Sequence, residues 1–220
     1  MNDSYAQVLG WLSAPANWAG PTGIIARTGI YLGHCLLTLA IASLIAIPLG
    51  LWVGHTGRLC AVMVPLTGAL RSLPTLGFLS ALSLTMGLGL GAPLVALTTL
   101  AIAPILAGAY AGVESVDREL VDASRAIGFT ERQILTRVEI PLAMPIVVSG
   151  LRSATVQILA TWTVAAYLPI EGLGRYLIDG LAMHDYTQML AGSAVVIVLE
   201  LAANALFGAL ERAVTASTCH

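Results

Sequence analysis

One long polar segment interrupts an otherwise apolar chain, and over residues 114–141 it reads ESVDRELVDASRAIGFTERQILTRVEIP. This segment holds six acidic residues and four arginines, out of only 12 acidic and 10 basic residues in the whole 220-residue chain. Charged side chains are therefore concentrated between two sets of apolar runs. How this segment folds decides how the apolar runs on either side of it are arranged.

The segment predicts two short helices that meet at a glycine. Asp117 is a favourable N-cap for the first helix, and Gly128 can adopt the left-handed conformation that ends it. Thr130 and Gln133 have the spacing of a capping box, which predicts a second helix. Pro141 is expected to end that second helix where the chain enters the membrane. The result is a compact elbow rather than a flexible tether.

The first of these helices carries a narrow apolar stripe made by Leu120, Ala123 or Ser124, and Ile127. A helix that lies on a bilayer usually has a wider apolar face and a polar face dominated by Lys and Arg. Here the acidic residues outnumber the arginines. This balance favours docking onto a protein, although an amphipathic connector on the bilayer surface stays open from the physics alone.

The composition of the chain indicates an all-α integral membrane protein. It is 57% hydrophobic and 10% charged, with a mean hydropathy of +0.87. Soluble domains are about 45–50% apolar and about 25% charged. So few charges do not cover a water-facing surface, and lipid is expected to surround most of the molecule.

About five transmembrane helices are predicted, because a span needs roughly 20 apolar residues. The second of them is interrupted between Arg71 and Pro74. Residues 1–28, which include Trp11 and Trp18, are expected to form an external, interfacial segment. Residues 29–213 form the predicted transmembrane domain, and residues 214–220 a cytoplasmic tail. The predicted spans are residues 29–53, 59–86, 92–113, 143–168 and 189–210.

The arginines predict how the chain is oriented. Five crossings place Arg27 and Arg175 on one side, and the positive-inside rule makes this the outer side. The N-terminus is then outside, the C-terminus inside, segment 114–141 cytoplasmic and segment 169–188 external. The arginines on the predicted cytoplasmic side are Arg58, Arg118, Arg125, Arg132, Arg137 and Arg212.

The chain contains no lysine, which excludes a P-loop, since the lysine of that motif reaches the nucleotide phosphates. If ATP drives this protein, ATP and its Mg²⁺ are expected to bind to a separate subunit, and no cofactor is expected on this chain. No catalytic constellation and no metal-ligand spacing are apparent. The net charge of −2 points to no nucleic-acid partner.

Asp122-Ala123-Ser124, followed by Gly128 and by Ile140-Pro141, resembles the "EAA" signature of ATP-binding-cassette importer permeases. In that family the signature forms a coupling helix that sits in a groove of the ATPase subunit. Asp122 stands where the family usually has Glu, and Ser124 where it has Ala. The resemblance implies an ATPase-coupling role for Asp122, Ala123, Ser124, Arg125, Ile127, Gly128 and Pro141.

Further matches resemble the permeases for glycine betaine, choline, carnitine and related osmoprotectants. The resemblance implies a type I importer fold in the bacterial cytoplasmic membrane, working as a homodimer or paralogous heterodimer. ATPase subunits and an extracytoplasmic substrate-binding protein are the implied partners. Methionine and other amino-acid permeases share several of these features and remain an alternative. The matching stretches are residues 71–79, 103–106, 138–145, 150–155 and 172–174.

Several residues are candidates for the transport pathway or its gate. Pro74 bends a span one turn after Arg71, which must face protein or water within the membrane. Trp162 and Tyr167 could stack on a quaternary ammonium, although aromatic residues also occur at this depth as an interfacial belt. The family's glycine-rich external turn corresponds to residues 169–174, with Glu171 in place of a glycine and tight backbone expected at Gly172 and Gly174.

Two interpretations from other classes stay open at this point. An ATP-independent secondary transporter or channel would need no ATPase, and a membrane scaffold would transport nothing. Internal repeats are not apparent, which argues against a complete inverted-repeat transporter in one chain.

Overall fold

A computed structural model describes residues 2–58 and 60–218, and every regular element within these ranges is helical. Leu59, the first residue of the predicted second span, and residues 219–220 of the predicted tail lie outside the described residues. The first five helices are α1 (Asn2–Ser13), α2 (Ile24–Thr56), α3 (Cys60–Ser72), α4 (Thr75–Met86) and α5 (Gly91–Glu114), with a 3₁₀ turn at Pro15–Asn17 between α1 and α2. The others are α6 (Arg118–Ala126), α7 (Glu131–Ile134), α8 (Ile140–Ala165), α9 (Gly174–Met183) and α10 (Tyr186–Thr218).

Among the described residues, four helical runs are long and apolar enough to cross a membrane: α2, α5, the run Glu131–Ala165, and α10. The pair α3 and α4 counts as a fifth span if the two helices are taken together. The break between them lies at Leu73 and Pro74, as the sequence predicts, because proline disfavours helical backbone in the residue before it. The prediction of an all-α membrane protein with about five spans is confirmed.

The boundaries of the predicted segments differ from those of the helices, most clearly at α2 and α10. Helix α2 begins at Ile24 rather than after residue 28, because Arg27 is buried with its guanidinium over the Tyr176 ring and does not force the chain out of the helix. Helix α10 continues beyond residue 213 to Thr218. The predicted external loop contains α9, which is too short to span a bilayer.

The expectation that Pro141 ends the second loop helix is wrong. Helix α7 continues through a π-helical turn, Leu135–Glu139, into α8, so Pro141 lies inside one helical run. Inside a helix, proline has no N–H to donate to the preceding turn, and its ring crowds the carbonyl of that turn. The wider π turn before it, closed by the Ile140 N–H donating to the Leu135 carbonyl, lets the run pass the proline.

The chain divides into two compact units. The first consists of Met1–Thr38, Pro74–Thr98 and Val156–Ala202, and the second of Leu39–Leu73, Thr99–Thr155 and Ala203–His220. Helices α2, α5, α8 and α10 contribute residues to both.

Close backbone packing in the second unit depends on glycines along α2, α5 and α8. A Cβ atom placed on Gly108 would lie 2.7 Å from the Cα of Gly150, and one on Gly50 would lie 2.6 Å from the Cβ of Ala109. A Cβ on Gly112 would lie 2.9 Å from the Ala143 carbonyl oxygen. Small residues let membrane helices approach closely, because van der Waals packing replaces the hydrophobic effect within lipid.

Polar side chains that are buried in the first unit bond to residues distant in sequence. Trp162 donates its indole N–H to the hydroxyl of Thr38 at 2.9 Å. The Tyr31 hydroxyl donates to the Leu159 carbonyl, and the Tyr176 hydroxyl donates to the Thr22 carbonyl at 2.6 Å. These bonds satisfy polar groups that would be costly if left unpaired away from water.

The glycine packing between α5 and α8 predicts the effect of a single methyl group. We expect Gly108→Ala to destabilise the protein by about 1–3 kcal/mol, because the new Cβ would overlap the backbone of Gly150. The measurement is thermal unfolding in detergent. Gly33→Ala is the matched control: Gly33 lies in α2, and a Cβ atom added there would meet none of the described residues within 4 Å apart from its chain neighbours and its own helix backbone. Its stability should therefore be unchanged or slightly increased. Equal melting temperatures for both variants would contradict the packing argument.

Candidate functional site

Helix α6 begins and ends as the sequence predicts. The Asp117 carboxylate accepts a hydrogen bond from the Glu119 N–H at 2.9 Å, so Asp117 is the N-cap. Gly128 has a φ of +96°. Its N–H bonds to the Arg125 carbonyl at 3.0 Å, and the Phe129 N–H bonds to the Ser124 carbonyl at 3.1 Å. This pair of bonds is the Schellman arrangement that requires a left-handed residue.

The second half of the elbow is stabilised by a capping box and a small apolar core. The Thr130 N–H donates to the Gln133 side chain at 2.8 Å, and the Gln133 N–H donates to the Thr130 hydroxyl at 3.4 Å. The prediction of a capping box is therefore confirmed. Val116, Val121 and Ile134 are buried against one another, with Phe129 packed on them, so the elbow has a core of its own.

The apolar stripe of α6 does not face this core. Val121 and Ser124 are the buried residues of the helix, whereas Ala123 is exposed, Leu120 is 45% exposed and Ile127 is 74% exposed. The stripe Leu120–Ala123–Ile127, here called the α6 outer stripe, is therefore open to a partner. Of the two alternatives for the middle position of the stripe, Ala123 is the one that faces outward.

Arg125 joins α6 to α7 through charged hydrogen bonds. Its guanidinium donates to both carboxylate oxygens of Glu131, at 2.8 and 3.0 Å, and to Asp122 at 2.9 Å. The bonds to Glu131 contribute most to raising the pKa of Arg125 above its ordinary value. Asp122 is thus bonded within the chain, and the bidentate pair fixes the orientation of the two helices of the elbow.

His55, at the end of α2, extends this arrangement to the membrane helices. Its Nδ1 lies 2.5 Å from Oε2 of Glu139, and its Nε2 lies 3.4 Å from Oε2 of Glu131. The Glu139 carboxylate is buried, with 7% of its side chain exposed. Of these two contacts, the one between Nδ1 and Glu139 is a hydrogen bond.

The π turn determines where Glu139 points. It inserts one extra residue before α8, which places Glu139 on the buried side of the helical run while Thr136 and Arg137 stay exposed. The series Asp122–Arg125–Glu131–His55–Glu139, here called the charge chain, therefore connects α6, α7, α2 and the start of α8.

Sequence reasoning missed His55 and Glu139. His55 stands in a polar turn after the first apolar run, where it resembles an ordinary exposed residue. Glu139 had a detectable signal, because it is an acid directly before the apolar run that starts at Ile140. A single acid at that place needs a partner, but its sequence separation of 84 residues from His55 hides which one.

Four of the predicted gate residues lie together. Trp162, Glu171, Gly172 and Gly174 line a cavity of about 10 Å³, which also touches Tyr31 and His34. This is close to the smallest volume that holds one water molecule. A Cβ on Gly174 would lie 2.5 Å from the Thr163 carbonyl oxygen, and Gly172 has a φ of +146°. The glycines thus permit the tight turn into α9.

The two aromatic candidates have different surroundings. Trp162 is 4% exposed and stacks on His34 with ring centroids 4.9 Å apart, so one face of its indole is covered. Tyr167 is 69% exposed and is not among the residues that line the small cavity. The structure does not bring the two rings together as an aromatic pair within the described residues.

Arg71 and Pro74 are not among the residues that line the small cavity beside the gate glycines. Arg71 is in the last turn of α3 and lines a mainly apolar cavity of about 370 Å³ with Leu106 and Tyr110 of α5. Pro74 is the N-cap of α4, with a φ of −68°. Each keeps its predicted place at the break in the second span.

The family model for binding-protein-dependent transport system inner membrane components matches residues 46–216. The carnitine transport permease protein OpuCD of Listeria monocytogenes is 31% identical over 172 residues, which are 78% of this chain and 77% of that protein. The choline transport system permease protein OpuBD of Bacillus subtilis is 30% identical over 175 residues, 79% of this chain and 77% of that protein.

Among solved structures, an inward-facing MetNI methionine ABC transporter chain matches with a TM-score of 0.75, covering 87% of this chain and 96% of that chain at 21% identity. At this identity the match shows a shared fold. It agrees with the type I importer fold that the resemblance implies. The chain is therefore a multi-pass membrane protein that belongs to the binding-protein-dependent transport system inner membrane components.

Proposed function

We propose that this chain is the permease subunit of an ATP-driven, binding-protein-dependent importer for a small compatible solute of the glycine betaine, choline, carnitine or proline-like type. Relatives that are about 30% identical carry the names of carnitine and choline permeases. The methionine transporter has a similar fold at lower sequence identity. The alternative is a permease for methionine or another amino acid, and competition for uptake distinguishes the two.

The observation that carries the proposal is the α6 outer stripe. Leu120 and Ile127 are large apolar side chains that stay exposed although α6 has a buried face of its own. Exposed apolar residues beside charged ones are typical of a protein-binding surface. We infer that this stripe docks into the ATPase subunit, which binds ATP and Mg²⁺ in place of this lysine-free chain.

The charge chain supports a mechanism for energy coupling. Arg125 and Glu131 fix α6 to α7, and His55 and Glu139 link this elbow to the ends of α2 and α8. A displacement of α6 by the ATPase would therefore act on two membrane helices together rather than on a loose loop. Asp122 is bonded to Arg125, so we assign it to positioning α6.

The remaining partners follow from this assignment. A single chain with four or five spans lacks the two halves of an alternating-access pathway, so a second permease subunit, identical or paralogous, completes it. The binding protein delivers the solute on the outer side. The positive-inside distribution of arginines supports an external N-terminus and a cytoplasmic segment 114–141.

Uptake by reconstituted protein tests the function. We expect the permease to co-purify with an ATPase that carries a P-loop, and the complex in liposomes to take up solute only with ATP and its binding protein. Glycine betaine, carnitine or choline should compete for uptake, whereas methionine should not. Competition by methionine alone would establish the amino-acid alternative. Uptake by the permease alone under an ion gradient would contradict ATP-driven transport.

The docking surface is tested at Ile127. We expect Ile127→Asp to reduce co-purification of the ATPase at least tenfold, because a carboxylate would have to lose water within an apolar contact. Ile127→Leu should bind normally, since it keeps the apolar volume. Ile127 is 74% exposed, so both variants should unfold at the wild-type temperature. Normal ATPase binding by Ile127→Asp would show that the stripe does not dock.

The charge chain is tested at His55. We expect His55→Ala to leave ATPase binding intact but to lower the amount of solute taken up per ATP hydrolysed. The substitution leaves the Glu139 carboxylate buried without its partner, at a cost of about 1.5–3 kcal/mol in stability. Thr56→Ala is the matched control, because the Thr56 hydroxyl donates to the Trp52 carbonyl and accepts from the Arg58 N–H, two local bonds that do not involve the charge chain. An unchanged ratio of uptake to hydrolysis in His55→Ala would contradict the coupling role.

A further inference from the structure

The first compact unit contains a cavity of about 360 Å³ that the predicted gate residues do not line. Its wall is formed by α1, the 3₁₀ turn, the start of α2, α9 and the start of α10. All of its lining residues lie between 11 and 27 or between 176 and 188, the two segments that the proposed topology places outside. They include Trp11, Asn17, Arg27, Tyr176, Asp179 and Gln188.

Arg27 is a buried cation in the wall of this cavity. Only 8% of the residue is exposed, and its Nε atom is buried without a hydrogen-bond partner among the described residues. The guanidinium carbon lies 4.4 Å from the centre of the Tyr176 ring. A buried guanidinium is costly unless its donors are hydrogen-bonded, so this arrangement leaves Arg27 short of an anionic partner.

Glu171 does not fully supply that partner. Its Oε2 atom lies 3.7 Å from the Arg27 Nε, which is longer than a hydrogen bond, and its side chain is 62% exposed. Tyr176 does not supply an anion either, because its hydroxyl keeps its proton and donates it to the Thr22 carbonyl. Burial raises the pKa of Tyr176, and Arg27 lowers it by less, so the phenol stays neutral.

The wall of the cavity also contains a negatively charged side chain, that of Asp179. Asp179 lines the cavity, and its carboxylate accepts a hydrogen bond from Arg175 of the preceding turn of α9. Trp11 lies edge-on to Tyr176, with ring centroids 5.5 Å apart, and adds an indole surface to the wall. The cavity thus offers a cation, a carboxylate and aromatic rings within a volume typical of small-molecule sites.

We propose that this cavity is an extracytoplasmic binding site for a small zwitterion, whose carboxylate pairs with Arg27 and whose alkylated ammonium lies toward Trp11 and Asp179. Guanidinium groups bind carboxylates in a planar, bidentate way, and indole rings attract quaternary ammonium groups. The proposal rests on the proposed function, because it names the form of solute that this permease receives on its outer side.

The site distinguishes two kinds of solute among those of the proposed function. Glycine betaine and carnitine carry both a carboxylate and a quaternary ammonium, whereas choline carries the ammonium alone. Choline would leave Arg27 without an anion, so the cavity should select zwitterions over this cation.

The experiment is equilibrium binding of radiolabelled glycine betaine, carnitine and choline to the purified permease–ATPase complex without its binding protein. We expect saturable binding of the two zwitterions and at least tenfold weaker binding of choline. Arg27→Gln should weaken binding of glycine betaine at least tenfold. Arg58→Gln, which removes an exposed arginine outside the cavity, should leave it unchanged.

Thermal unfolding without solute shows whether Arg27→Gln is folded. Two further variants test the site without changing Arg27. Asp179→Asn should weaken glycine betaine binding with Arg27 in place. Trp11→Leu, in α1, should do the same by removing the indole. Glycine betaine binding that is unchanged in all three variants, or that is no tighter than choline binding, would overturn the proposal.

The outcomes also separate this site from the proposed function. ATP-dependent uptake of glycine betaine by a complex that shows no saturable zwitterion binding would overturn the site and leave the function standing. Zwitterion binding that depends on Arg27, in a complex with no uptake of any tested solute, would support the site and count against the function.

Discussion

The close approach of helix backbones at glycines is the constraint on which the second unit depends. Gly108 and Gly150 bring α5 and α8 together, and Gly50 lets α2 approach α5 at Ala109. Because these contacts leave no room for a Cβ atom, they set the positions of three membrane helices within narrow limits. The ends of α2 and α8 then lie within reach of each other, which is why His55 meets Glu139 although 84 residues separate them.

The polar elbow combines a rigid inner side with an open outer side. Val121 and Ile134 form its apolar core, while the charge chain ties it to the membrane helices. The large apolar residues that remain, Leu120 and Ile127, have no place in this core. The inner face of α6 is thus held by contacts within the chain, whereas apolar side chains on its outer face are free to contact another protein. Such a helix is suited to transmit the movement of a bound protein.

The first unit is organised around buried polar groups instead. Tyr31, Tyr176 and Trp162 bond there to carbonyl or hydroxyl oxygens of residues distant in sequence, and Gly174 allows α9 to pack against the Thr163 carbonyl. This packing leaves only about 10 Å³ beside the predicted gate glycines. The larger cavity around Arg27 lies under α1 and α9, two short helices that hydropathy alone does not reveal.

The features that could be predicted from the amino-acid sequence are of two kinds. Some depend on residues close together in the chain, and the others follow because lipid surrounds most of the molecule and requires apolar helices. The composition required spanning helices, and the break at Pro74 followed from proline geometry. The N-cap at Asp117, the left-handed Gly128 and the capping box at Thr130 were all found as predicted. Each depends on residues only a few positions apart. The signature in segment 114–141 indicated the family for the same reason, since its residues lie within one short stretch.

The features that join distant parts of the chain emerged only from its three-dimensional packing. Packing turned the α6 outer stripe away from the core, carried the helix past Pro141 by means of a π turn, and paired Glu139 with His55. It also buried Arg27 at the start of α2, which extended that helix beyond its predicted boundary. Hydropathy treats a charge as a reason to leave the membrane domain. Packing can instead cover a charge, as the Tyr176 ring covers the Arg27 guanidinium, or pair it, as His55 pairs with Glu139.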